Sequence, residues 1–176
     1  LLSKRNDVLL VGRSFHVEAI NSKGLVLSGE VDRLFKVKAT TEVDEVPTGS
    51  LVLLTTKAYD SEEAISSIKD RLGKNVAIVV LQNGLGNEEI VKEVVGDKTE
   101  VVRALTTSGV EFAEPGRITV KLVGETTLGR VETSERIAEL FNSCGLKTQL
   151  SDNMPLELWS KLAMNCVINP LSAILG

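Results

Sequence analysis

The chain holds 176 residues, 43% hydrophobic and 25% charged, an ordinary globular composition with room for one real core and a small second piece. A net charge of −4 argues against nucleic acid as a main partner, so any anion site must be local. Cys144, Cys166 and the lone His16 show no CxxC spacing and no metal constellation, and no apolar run approaches the ~20 residues of a membrane span.

A reduced cytoplasmic protein is the plain reading. The opening LLSKRNDVLLVGR lacks signal-peptide architecture because charges interrupt short apolar stretches. It reads as the tail of a helix, a turn at Asn6-Asp7 and a buried strand over 7–12. Two stretches flank Ser28-Gly29-Glu30 as a hairpin would. SLVLLTT (50–56) is a second buried strand, followed by an amphipathic helix with Ser61 as N-cap and Gly73 at its end.

NVAIVVLQ (75–82) is a third buried strand, NEEIVKEVVG (87–96) a helix and EVVRALTT (100–107) a fourth strand. GRITVKLVGETTLGR suggests two antiparallel, edge-like strands turning near Gly124. A helix over 132–145, a short strand over 146–151 and a last helix opened by Pro155 complete the chain. This alternation predicts an α/β fold, a mostly parallel sheet with helices on both faces. SDNMP (151–155) marks the boundary candidate, dividing 1–151 from the start of a helical unit over 152–176.

Such sheets bind ligands at the carboxyl ends of their strands. Arg13 follows the first strand, where an arginine can pair with a ribose 2′-phosphate in two hydrogen bonds; a solvated loop arginine is the alternative. Lys57 leaves the second strand in the same way, where a lysine could lie along the adenine or the 2′-phosphate; a surface charge is the alternative. LQNGLGNEE is sharper, because the segment after Asn-Gly is helical and a hairpin is excluded. Gly84 and Gly86 then let backbone approach a ligand, and Asn83 stands at the lip of the crevice with donor and acceptor capacity. A tight strand-to-helix turn is the structural alternative.

The last helix places Lys161, Asn165 and Asn169 at four-residue steps among Leu158, Leu162, Val167 and Leu171. They form one polar stripe on an apolar, buried-looking rod. An amide buried without a partner costs roughly 1–3 kcal/mol, so a stripe this narrow calls for partners: a ligand or neighbouring backbone. Pro170 disfavours helical conformation at Asn169 and would bend the helix.

VLLVGR, LLTTKAYD, VVLQNGLGNEE, TTSGVEFAEPGRITV and ELWSKLAMNCVINPLSAI together resemble the ketopantoate reductase (2-dehydropantoate 2-reductase) family over essentially every residue. The resemblance implies a Rossmann-like NADP-binding domain and NADPH-dependent reduction of 2-dehydropantoate to (R)-pantoate, toward pantothenate and coenzyme A. It implies Lys161 as catalytic lysine, and Asn83, Asn165 and Asn169 on substrate or the nicotinamide end. Arg13 and Lys57 match the family's 2′-phosphate contacts, with Asn83 and Gly84 also beside cofactor. The family's glycine-rich loop and most of its C-terminal helical domain, through which a homodimer could form, find no match here. A fragment is therefore expected. The rival readings are a related hydroxyacid or glycerol-phosphate dehydrogenase and a non-catalytic NADP-binding redox sensor.

Overall fold

The computed structural model describes residues 1–175, so Gly176, the last residue of the expected helical segment, lies outside the described residues. The main sheet is built on three parallel strands, β5 (Leu51–Leu54), β6 (Ala77–Val80) and β7 (Glu100–Thr106). β10 (Thr126–Gly129) adds antiparallel to β7, and β11 (Thr148–Ser151) adds parallel to β10. The spatial order is β11-β10-β7-β6-β5.

Side-chain alternation decides which helix covers which face. Ala77, Val79, Val102, Ala104 and Leu128 meet Ile137, Ala138 and Phe141 of α4 (Ser134–Ser143). The opposite parity, Ile78, Val80 and Val101, meets Ile65 of α2 (Ser61–Ser66) and Val91 of α3 (Asn87–Val95). All four residues of β6 are buried, as an uninterrupted Ala-Ile-Val-Val run between two helical layers requires. Each such valine or isoleucine contributes about 1.5–3 kcal/mol by leaving water. The expected α/β class with helices on both faces is what the chain adopts.

Two smaller sheets flank this core. β1 (Leu9–Val11) pairs parallel with β4 (Lys38–Thr40). Between them run α1 (Ser14–Lys23) and the expected hairpin, β2 (Leu25–Gly29) with β3 (Arg33–Phe35). α1 was not legible from periodicity, since Ile20 is its one buried residue. The side chain of Asn21 fastens it by pairing with both backbone groups of Ala39, donating at 2.9 Å and accepting at 3.0 Å.

Four expectations need correction. The first strand is not buried as expected, since Leu9 and Val11 of β1 are exposed. The helix expected over 61–73 stops at Ser66 and resumes only as a 3-10 turn, Lys69–Arg71; Ser61 is its first residue and not an N-cap, its hydroxyl instead accepting from Gln82. The two strands around Gly124 do not pair with each other. β9 (Arg117–Leu122) lies between β2 and an unanticipated strand, β8 (Gly109–Glu114), in the third sheet, whereas β10 joins the main sheet. The amides of Gly124 and Glu125 bond to the hydroxyls of Ser108 and Thr107, at 3.2 and 2.9 Å, which diverts the chain across to β7. Finally, α5 (Met154–Leu175) is not the buried rod expected. Only Met154 is buried, and Trp159, Met164, Val167 and Leu171 are exposed, because the described residues pack only against its first turns. The helix runs on through Pro170 to Leu175.

Candidate active site

The carboxyl ends of β5, β6 and β7 lie side by side on one edge of the main sheet, because the three strands are parallel. Lys57 follows β5 and stands exposed before a 3-10 turn, Ala58–Asp60. Gln82, Asn83 and Gly84 follow β6. Gly84 (φ 95°) and Gly86 (φ 82°) both take left-handed backbone, which reverses the chain and launches α3. The Asn87 side chain, buried at the helix start, closes the turn by donating to the Asn83 carbonyl at 3.0 Å.

Gln82 is 7% exposed; its Nε2 donates to Ser61 Oγ at 2.7 Å and Thr56 Oγ1 at 3.2 Å. Its Oε1 is buried and finds no hydrogen-bond partner among the described residues. Beneath this corner lies Arg103, a charged residue 4% exposed in the middle of β7. Its guanidinium donates to the carbonyls of Val80 (2.7 Å), Gln82 (2.7 Å) and Gly84 (2.8 Å).

α5 brings the other wall. Its chain is capped at the start by Asn153, whose Oδ1 accepts from Leu156 N–H at 3.3 Å. Two turns later the Lys161 ammonium donates to the Thr106 carbonyl, at the end of β7, at 2.6 Å. A small notch forms between Gln82, Asn83, Gly84 and Arg103 on the sheet side and Leu158, Lys161, Leu162 and Asn165 on the helix. Loss of water around Lys161, and secondly the positive charge of Arg103, hold its pKa below the ordinary lysine value. Burial also pulls Arg103 below the usual arginine value, opposed by Glu88 and Glu89 in the first turn of α3.

Of the residues singled out in the sequence, Asn83, Gly84, Lys161 and Asn165 come together around this notch. Asn169 lies outside its lining, exposed one turn further along α5, and Arg13 stands exposed where β1 gives way to α1. Two polar residues of the notch were missed. Gln82 was read only as a strand end, and Arg103 was passed over inside the run EVVRALT, where a cation amid four apolar neighbours was itself a signal.

The ketopantoate reductase PanE/ApbA family model matches residues 1–133. The chain belongs to that family. A 2-dehydropantoate 2-reductase of Pyrococcus horikoshii is 37% identical over 174 residues, covering 96% of this chain and 56% of the relative. One from Archaeoglobus fulgidus is 30% identical over 96% of the chain and 56% of the relative. The PanE/ApbA family ketopantoate reductase of Ralstonia eutropha superposes with a TM-score of 0.87 at 30% identity, over 94% of this chain and 55% of that one. D-mandelate dehydrogenase with NADH and anilino(oxo)acetate gives a TM-score of 0.88 at 25% identity, over 99% and 59%. The fold is thus the Rossmann-like one of PanE/ApbA proteins, and the chain spans little more than half the length of these relatives. Among the described residues there is no helix long and apolar enough to cross a membrane, and no His/Cys/Asp/Glu group that could hold a metal ion.

Proposed function

We propose that this chain carries the cofactor side and one substrate wall of an enzyme that reduces 2-dehydropantoate to (R)-pantoate with NADPH, a step toward pantothenate and coenzyme A. The reading is supported by family membership and by relatives named 2-dehydropantoate 2-reductase. The observation that carries it is the Lys161 ammonium, lodged at the carboxyl end of β7 across from the Asn83–Gly84 corner.

The residues fit a dinucleotide. Crevices at the carboxyl ends of parallel strands hold such ligands, and the glycine corner offers close backbone approach with the start of α3 behind it. The unpartnered Gln82 Oε1 supplies an acceptor suited to an amide-bearing ligand. When bound, the reduced nicotinamide supplies hydride. Arg13 and Lys57 would distinguish the 2′-phosphate of NADPH.

Lys161 spends one of its N–H donors on Thr106, leaving two for a ketone oxygen. Its charge stabilises the oxyanion as it forms, and one of its protons completes the alcohol. A pKa held below that of free lysine makes that proton easier to give. Asn83 and Asn165 orient the keto acid from either side, and Asn169 meets whatever part of the bound ligands extends along α5. The reading divides the chain into a nucleotide-binding domain over 1–151 and the beginning of a helical domain over 152–176. A homodimer forming through that helical domain and a cytoplasmic location follow from the same assignment.

The test is oxidation of NADPH in the full-length protein with 2-dehydropantoate, set against a panel of other 2-keto acids and against NADH. Lys161→Ala should lower turnover by about 10²–10⁴-fold while NADPH still binds. Near-normal turnover in that variant rejects the role of Lys161. Preference for an aryl keto acid with NADH would favour the chemistry of the D-mandelate dehydrogenase neighbour.

A further inference from the structure

We propose that Arg103 is a positioning residue of this site: its guanidinium binds the three carbonyls of Val80, Gln82 and Gly84 and thereby fixes the Asn83–Gly84 corner opposite Lys161. For the turnover arm of its test, the inference rests on the reductase reading above.

The sequence context makes the residue anomalous. Val101, Val102, Ala104 and Leu105 are buried around it, and any apolar side chain would complete that run. A buried cation among them is costly unless its hydrogen bonds are made elsewhere. No carboxylate forms an ion pair with it among the described residues; three carbonyl oxygens take its charge instead. Those carbonyls lie where β6 ends and the glycine corner begins. Val80 is the last residue of β6 and sits in register with Arg103 itself, while Gln82 and Gly84 lie where the chain has left the sheet. Past that point no neighbouring strand holds the backbone. The planar fork of an arginine, with five donors in fixed directions, spans several such oxygens at once; a lysine ammonium is a shorter-reaching point charge.

The same side chain faces the notch that Lys161 lines. Its charge acts on the lysine ammonium in the direction of easier proton loss, second to burial. Arg103 thus joins the corner that would orient substrate to the group that would protonate it, without needing to touch either reactant.

Arg103→Met and Arg103→Lys in the full-length protein separate these effects. Amide hydrogen exchange at Leu81 and Ile90, whose N–H groups bond to the carbonyls of Leu54 and Gly86 at the two ends of the corner, should quicken at least about tenfold in both variants, with exchange in the β10–α4 region unchanged. The pH titration of Lys161, followed by carbon NMR of labelled lysine, should move upward in Arg103→Met and stay near wild type in Arg103→Lys, which keeps a cation. Turnover should fall about 10²-fold in Arg103→Met, the scale of a displaced reactive group. Should Arg103→Met not fold, the exchange arm stands on Arg103→Lys. Unchanged exchange at Leu81 and Ile90, an increase spread evenly over the chain, or loss of structure in both variants overturns the inference. If the wild-type protein fails to reduce 2-dehydropantoate, the reductase reading falls, while exchange and the lysine titration still decide what Arg103 does.

Discussion

Gly86 is the position where backbone conformation alone has a calculable consequence. It begins α3 at φ 82° and ψ −9°, and its carbonyl accepts the Ile90 amide at 3.2 Å, so the first turn of the helix hangs from it. A Cβ built there meets nothing within 4 Å. Gly86→Ala therefore introduces neither clash nor packing, only the left-handed strain of about 1–2 kcal/mol that a β-carbon incurs. Against this, alanine restricts the unfolded chain by about 0.4–1 kcal/mol. The net loss is about 1 kcal/mol. Gly12 supplies the control, because its Cβ would also meet nothing and its φ is not positive, so Gly12→Ala keeps only the favourable unfolded-state effect. Urea unfolding of the two variants should separate them by about 1–2 kcal/mol, all of it the left-handed strain. Gly86→Asn, a residue that tolerates this conformation, should recover part of the loss. If Gly86→Ala unfolds together with Gly12→Ala, the account of this corner is wrong.

Asn21→Ala removes both bonds to Ala39 and should lower stability by roughly 2 kcal/mol in urea titration, at about 1 kcal/mol for each net bond. Asn21→Asp keeps the acceptor and loses the donor, so it should fall between; an alanine variant as stable as wild type would show that α1 does not depend on this pairing. Lys161 gives a pH dependence with a fixed sign. Its folded pKa lies below its unfolded one, so the unfolded state binds more protons, and stability rises with pH between the lowered value and the ordinary lysine value. Lys161→Met removes that rise. The stability of wild type relative to this variant should climb through that alkaline window, and a flat or falling difference in pH-dependent melts contradicts the half-buried ammonium.

Much of the fold was readable because one physical rule fixed it. Uninterrupted apolar runs such as AIVV in β6 have no polar face to show water, so they had to lie between two helical layers. Where the signal was weak, the reading failed for identifiable reasons. α1 buries one side chain and is held by an amide instead of an apolar stripe. The path through Gly124 is set by hydroxyls of Thr107 and Ser108, sixteen or more residues away in sequence, which no local turn pattern encodes.

The site divides along the same line. Four-residue spacing put Lys161, Asn165 and Asn169 on one face of α5, but spacing says nothing about how far along a helix its neighbour extends. The sheet edge reaches Lys161 through Thr106 and ends near Asn165. Eight residues beyond Lys161 means about 12 Å further along the axis, which carries Asn169 clear of the sheet. Asn169 can therefore act only on a ligand that extends along α5, or beside residues that cover its exposed apolar face. Arg103 presents the reverse case. Nothing about its spacing is unusual, yet one cation inside EVVRALT breaks the rule that made β7 readable as a strand. Such a violation needs a local return, and the three carbonyls it binds lie where the sheet gives way to the glycine corner. Charged exceptions in buried strands are thus as informative about a site as polar stripes on helices, because both mark places where burial has been traded for geometry.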